Sequence, residues 1–258
     1  MSLAVTNLSV RLGTRRVVCD VTFSLPSGTL TFMVGPNGAG KTTALRAIAG
    51  LIASDGAIAI QGNDVTQRPA HQRAQYLAYV PQGHIAHWPL AARQVVGLGR
   101  KPSSSSLARR AQADDAAIDD ALLAVDALHF AERSVTELSG GERARIMLAR
   151  ALATGAPLIL ADEPIAALDP RHQLAVASLL QRLAHEGRTI LAVVHDLSLA
   201  MRFGDRILVI GEGGLVADGA PVDVLTDDVI ARTFQIKVAR FTHEGHAGLM
   251  PWSVREER

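Results

Sequence analysis

Four short apolar runs, "LTFMV", "LILA", "TILAVV" and "RILVI", punctuate the chain, separated by segments of helical character. Uninterrupted apolar runs of strand length suit strands buried on both faces. Strands of that kind alternating with helices predict a mostly parallel sheet with helices on either side. The first run leads straight into "GPNGAGKTT", Gly35 to Thr43, and then into a helical segment, Lys41 to Ala49, closed by Gly50. A strand, a glycine-rich turn and a helix in direct succession leave few architectures open.

The remaining segments fill in around that core. "LAVTNLSV" and "VVCDVTFSL" alternate apolar and polar positions across "RLGTRR", which predicts an antiparallel hairpin. "AIAIQG" reads as a further strand. From about residue 84 to 155 the chain is rich in Ala, Leu, Asp and Arg and reads as helical, with an exposed loop at Ser103 to Ser106. The tail after about residue 240, "FTHEGHAGLMPWSVREER", shows little periodicity and supports no assignment. The fold class is therefore α/β, with an antiparallel N-terminal part and an inserted helical part.

Composition removes some functions. The net charge is +1 over 258 residues, which argues against nucleic-acid binding through bulk electrostatics. Cys19 is the single cysteine, so no internal disulfide forms; the setting expected is a reducing one. No apolar stretch approaches the length of a membrane span, and "MSLAVTNLSVRLG" lacks the apolar run of a signal peptide. A role at a membrane would come through a partner.

Gly35 to Thr42 fits G-x-x-x-x-G-K-[ST]. In that pattern the glycines let the backbone curl until its N–H groups face phosphate oxygens. Gly35, Pro36, Asn37, Gly38, Ala39 and Gly40 form the curl. Lys41 brings a point charge to the β- and γ-phosphates, and Thr42 offers a hydroxyl to Mg²⁺. Thr43 follows in the first turn of a helix whose positive dipole end faces the same anion. The ligand expected is a nucleoside triphosphate with Mg²⁺.

Two further stretches narrow the chemistry. "LILADEP" ends a buried strand in two acids, Asp162 and Glu163. Asp162 is placed to hold Mg²⁺, and Glu163, one residue on, to polarise an attacking water. "LSGGE", Leu138 to Glu142, precedes "RARIMLARALA". It reads equally as a plain helix cap or as a second anion-facing helix N-terminus formed by Ser139, Gly140 and Gly141.

With these residues in view, the chain resembles the ATP-binding cassette (ABC) ATPase subunits. "GPNGAGKTT" is similar to the family's Walker A motif, "LSGGE" to its signature and "LILADEP" to its Walker B. Gln82 in "YVPQ" resembles the Q-loop, "ALD" up to Asp169 the D-loop, and His195 in "VVHD" the H-loop. The resemblance implies a RecA-like P-loop core over 1–83 and 156–240, a helical subdomain over 84–155 and a tail over 241–258. It implies head-to-tail homodimers, with ATP between Lys41 of one chain and Ser139 and Gly141 of the other, Asp169 nearby. It implies that His195 contacts the γ-phosphate, that Gln82 senses Mg²⁺ and the water, and that a polytopic permease and, indirectly, a substrate-binding protein are partners. The chain would then sit peripherally on the cytoplasmic face of the inner membrane. Taken alone, His195 reads as a packed strand-end histidine and Gln82 as a surface turn residue.

The family usually places an aromatic residue under adenine where this chain has Leu12, which implies weaker base stacking. Pro164-Ile165 stands where Pro-Thr or Pro-Ser is usual. "RQVVGLGRKP" and the run from Ala167 to Ile210 resemble importers of ferric siderophores, haem and vitamin B12. The expected function is ATP-driven uptake of an iron-chelate type nutrient. The alternatives are a cassette of another transporter class and a soluble ABC protein such as an iron–sulfur assembly factor. His243 and His246 have H-x-x-H spacing without further ligands; His84 and His87, beside Trp88, read as loop residues; Cys19 reads as core.

Overall fold

The computed structural model describes residues 2–83, 89–100 and 107–255. The chain opens with β1 (Leu3–Leu12), β2 (Arg15–Leu25), β3 (Leu30–Val34), α1 (Lys41–Ala49), β4 (Asp55–Ile60) and β5 (Asn63–Asp64). Next come α2 (Ala70–Arg73), β6 (Leu77–Val80), α3 (Ala92–Gly97), α4 (Leu107–Ala124) and α5 (Gly140–Ala153). Then follow β7 (Leu158–Asp162), α6 (Pro170–His185), β8 (Thr189–Val193), α7 (Leu197–Phe203), β9 (Arg206–Gly211) and β10 (Gly214–Gly219). The chain closes with α8 (Pro221–Val224), α9 (Asp227–Phe234), β11 (Ile236–His243) and β12 (His246–Val254).

The central sheet has the order β10-β9-β3-β8-β7-β6. All its pairings are parallel except β9 with β10. Every residue of β3, β7 and β8 is buried, which is why these strands read as unbroken apolar runs. Successive residues serve opposite faces. Phe32, Ile159 and Ile190 pack into the cluster that holds α5, α6 and α7. Met33, Leu160 and Leu191 pack on the other side with α1 and the strands of the first sheet.

That first sheet runs β2-β1-β4-β5 and is antiparallel throughout. Its leading hairpin closes with Leu12 opposite Arg15, as the alternating pattern predicts. The segment expected to be helical supplies α3, α4 and α5, with short 3-10 turns at Leu128–Phe130 and Val135–Glu137. The serine run Ser103 to Ser106 lies outside the described residues, as do His84, His87 and Trp88.

Two expectations need correction. The tail left without assignment forms a hairpin, β11 with β12, and β11 runs through the boundary at residue 240. Leu249 of β12 is fully buried in the main cluster, which holds the hairpin to the body. Its sequence hides this because most of its side chains stay in water and a bulge between Lys237 and Val238 breaks the alternation. Cys19 is half-buried on β2 rather than in the core. His243 and His246 face each other at the hairpin turn, and no cluster of metal-ligand type occurs among the described residues.

Candidate active site

The parallel strands deliver their following residues to one edge of the sheet. β3 lies between β9 and β8, and the loop Gly35 to Gly40 leaves its carboxyl end. Ligands of open α/β sheets bind along that edge, where strand order reverses. Two glycines are required sterically. A Cβ on Gly35 would strike the Ile210 carbonyl of the neighbouring strand. Gly40 has φ 94, and a Cβ there would lie 2.7 Å from the Val17 carbonyl. The curl therefore packs directly on β2 and β9, and α1 starts from it at Lys41.

Lys41 is buried, and its Nζ donates to the carbonyls of Gly35, at 2.7 Å, and Pro36, at 3.0 Å. Burial pulls its ammonium below the ordinary lysine value, while the carboxylates of Glu163 and Asp162 oppose that shift. Thr42, the next residue, donates its hydroxyl to Asp162 Oδ1 at 2.8 Å. Asp162 ends β7 and is wholly buried, yet its other oxygen also has a donor, the Tyr79 hydroxyl at 3.0 Å. Desolvation pushes the Tyr79 phenol above its usual value, so it stays a donor.

Glu163 has left-handed backbone, with φ 51, where the chain turns out of β7. That conformation costs a non-glycine residue about 1–2 kcal/mol. Its carboxylate is gripped on both oxygens: Oε1 lies 2.6 Å from His195 Nε2, and Oε2 accepts from Gln82 Nε2 at 2.6 Å. His195 sits just past β8 and directly before Asp196, the residue that caps α7 through Ser198 N and Leu199 N. Gln82 lies two residues beyond β6. Three adjacent strands, β6, β7 and β8, thus bring Gln82, Glu163 and His195 into one cluster, beside Lys41 and Thr42 from the loop after β3.

A cavity of about 320 Å³ opens over this cluster. Leu12, Asn37, Lys41, Thr43, Glu163 and His195 all line it. Leu12, half in solvent at the end of β1, presents an aliphatic wall there. Arg15, across the hairpin from Leu12, lines it too and was not singled out from the sequence.

Ser139, Gly140, Gly141 and Asp169 do not line that cavity. They form a second cluster. Ser139 caps α5: its Oγ accepts from Glu142 N at 3.3 Å, and Ser139 N donates to Glu142 Oε2 at 2.7 Å. The Ser139 backbone N–H holds the Glu142 carboxyl below its usual range. Asp169 caps α6 by accepting from His172 N at 2.9 Å, which also keeps its carboxyl low. The His172 ring lies where a side chain on Gly141 would go, and Leu168 packs against Gly140. The plain-cap reading of "LSGGE" is therefore right as local geometry.

The model of a family described as ABC transporter matches residues 18–166. The chain belongs to the ABC transporter family. Among its relatives, the cobalamin import ATP-binding protein of Halobacterium salinarum is 42% identical over 93% of this chain, and the match spans 60% of that protein. The hemin import ATP-binding protein of Nocardia farcinica is 42% identical over 89% of this chain and 79% of its own length. The iron(3+)-hydroxamate import ATP-binding protein of Bacillus subtilis is 37% identical over 91% and 88%. The fold is that of solved cassettes. A dimeric bacterial ABC transporter cassette, MJ0796, superposes with a TM-score of 0.71 at 26% identity, over 85% of this chain and 98% of that one. An inward-facing metal-chelate type ABC transporter superposes at 0.81 and 26%, over 97% of each chain. The fold class and the family read from the motifs both agree with these findings.

Proposed function

We propose that this chain is the ATP-hydrolysing subunit of an importer for an iron-chelate type nutrient: a ferric siderophore, haem or cobalamin. The convergence of Lys41, Thr42, Glu163 and His195 on one cavity, with Asp162 and Gln82 bonded to Thr42 and Glu163 behind them, carries the ATPase reading. The names of the relatives support the cargo class.

The loop N–H groups and Lys41 hold the β- and γ-phosphates. Thr42 and Asp162 suit Mg²⁺, because both offer hard oxygens and already lie within 2.8 Å of each other. Gln82 gives only its amide nitrogen to Glu163, which leaves its amide oxygen for the same ion. When bound, Mg²⁺ neutralises charge on the phosphate oxygens.

Glu163 orients the attacking water and takes its proton as the water oxygen bonds to the γ-phosphorus and the bond to the leaving oxygen breaks. An ionised carboxylate has about four acceptor positions, so its bonds to His195 and Gln82 leave room for that water. His195 and Gln82 keep the carboxylate from swinging away, and His195, which lines the cavity, would contact the γ-phosphate of a bound nucleotide.

Ser139, Gly140, Gly141 and Asp169 act on the nucleotide of a second copy. Their separation from the cavity of their own chain favours that arrangement. Each triphosphate then bridges two chains, and its hydrolysis releases the bridge. A groove of about 520 Å³ lined by Leu98, Gly99, Arg100, Met147 and Arg150 receives a membrane permease. It includes the first two residues of "GRKP". No helix among the described residues is long and apolar enough to cross a membrane. In this reading the permease holds the chain at the membrane's cytoplasmic face. A substrate-binding protein acts through that permease.

The test is uptake of labelled ferric hydroxamate, haem and cobalamin by cells lacking this chain. Loss of one cargo, rescued by wild type and not by Glu163→Gln, is expected. Normal uptake of all three in cells with no second such importer would refute the cargo class.

A further inference from the structure

We infer that Tyr79 is a positioning residue for Asp162, and that it sets how tightly the divalent ion is held rather than how tightly the nucleotide is. The inference rests on the ATPase reading above. Asp162 is wholly buried and accepts one hydroxyl on each oxygen, from Thr42 and from Tyr79. The two donors are unlike in origin. Thr42 belongs to the phosphate loop and lines the cavity, while Tyr79 belongs to β6, which does not.

Orientation of a ligating carboxylate is a matter of its far oxygen. With Tyr79 in place, Oδ2 is tied and Oδ1 is turned to Thr42. Without that hydroxyl, Oδ2 becomes a buried carboxylate oxygen lacking its donor, and the group is free to rotate to recover one. Loss of such an outer partner typically lowers metal affinity 10- to 100-fold. The chain just past β6 brings in Gln82, three residues after Tyr79, which bonds Glu163. β6 and the turn just past it therefore restrain both Asp162, which ends β7, and Glu163, which follows it, and Tyr79 is the hold on the metal side.

Tyr79→Phe keeps the ring and removes only the hydroxyl. The probe is Mn²⁺, titrated by EPR into the full-length protein with a non-hydrolysable ATP analogue. We expect Mn²⁺ affinity to fall about 10-fold. Analogue binding in EDTA should stay at the wild-type value, and the Mg²⁺ needed for half-maximal hydrolysis should rise by the same factor. Unchanged Mn²⁺ affinity in Tyr79→Phe overturns the inference. So does an equal loss of analogue binding in EDTA, since that marks a general structural role. If wild type itself shows no metal-dependent nucleotide binding, the ATPase reading falls; if only the variant matches wild type, that reading stands and the role of Tyr79 does not.

Discussion

Glu163→Gln separates binding from chemistry at this site. The substitution preserves size and shape but replaces one carboxylate oxygen with an amide nitrogen. The two oxygens face different neighbours, His195 Nε2 at 2.6 Å and Gln82 Nε2 at 2.6 Å. Gln82 Nε2 can only donate, so the amide oxygen must turn to it. The amide nitrogen then faces His195, whose Nε2 accepts when the ring proton moves to the other nitrogen. The cluster survives with two neutral hydrogen bonds in place of two charge-assisted ones, a loss of about 1 kcal/mol each. Lys41 loses the pull of one carboxylate but keeps its bonds to the Gly35 and Pro36 carbonyls, and Thr42 is untouched, so ATP affinity should stay within about fivefold of wild type, roughly 1 kcal/mol. The attacking water loses its base, and general-base catalysis is worth about 10²- to 10⁴-fold. The assay pairs single-turnover hydrolysis of labelled ATP with equilibrium binding of the same nucleotide. A turnover rate within threefold of wild type would refute Glu163 as the base. Parallel loss of binding would show instead that the charge of Glu163 supports the cradle.

Other outcomes follow from the same geometry. Leu12→Tyr adds a ring to the cavity wall and should favour ATP over GTP by about 1 kcal/mol, roughly fivefold, in competition binding; an unchanged ratio would place the base elsewhere. Ser139→Ala removes the α5 cap and should lower stability by about 1 kcal/mol in urea titration. It should also weaken the ATP-trapped dimer of the Glu163→Gln background, whereas intact trapping would mean Ser139 serves only its own helix. Ile190→Ala hollows a fully buried position on β8 and should cost about 2–5 kcal/mol in the same titration, with a smaller loss pointing to collapse of the surroundings.

Much of this architecture was legible because its strands are buried on two faces. "LILAD" and "TILAV" have no polar alternation to confuse them; the first ends on an acid, and a cap-forming acid follows the second three residues on. The phosphate loop was legible because its spacing is imposed by close backbone approach at Gly35 and Gly40. The hairpin at the C-terminus was not. Its strands bury few side chains, among them Leu249, and its bulge shifts the period. The partnership of Tyr79 with Asp162 was hidden for another reason: it joins residues 83 positions apart. The one clue was a phenol in a four-residue strand otherwise apolar, which needs a hydrogen-bond partner when enclosed. Nor could spacing reveal that Ser139 spends its side chain on Glu142 while lying away from Lys41 in its own chain.

The position of β3 at the middle of the sheet bears on how the protein comes into being. Its hydrogen-bonding neighbours are β8 and β9, which begin at Thr189 and Arg206, whereas β3 itself ends at Val34. A ribosome exposes the phosphate-loop segment early and the strands that seat it last. Until those late strands arrive, the loop has neither the Ile210 carbonyl against Gly35 nor the strand that presents His195. Closing so long a stretch of chain is entropically slow, and it leaves apolar β3 unpaired during synthesis. A chain released before about residue 211 would carry a complete Walker A sequence and no place to put it.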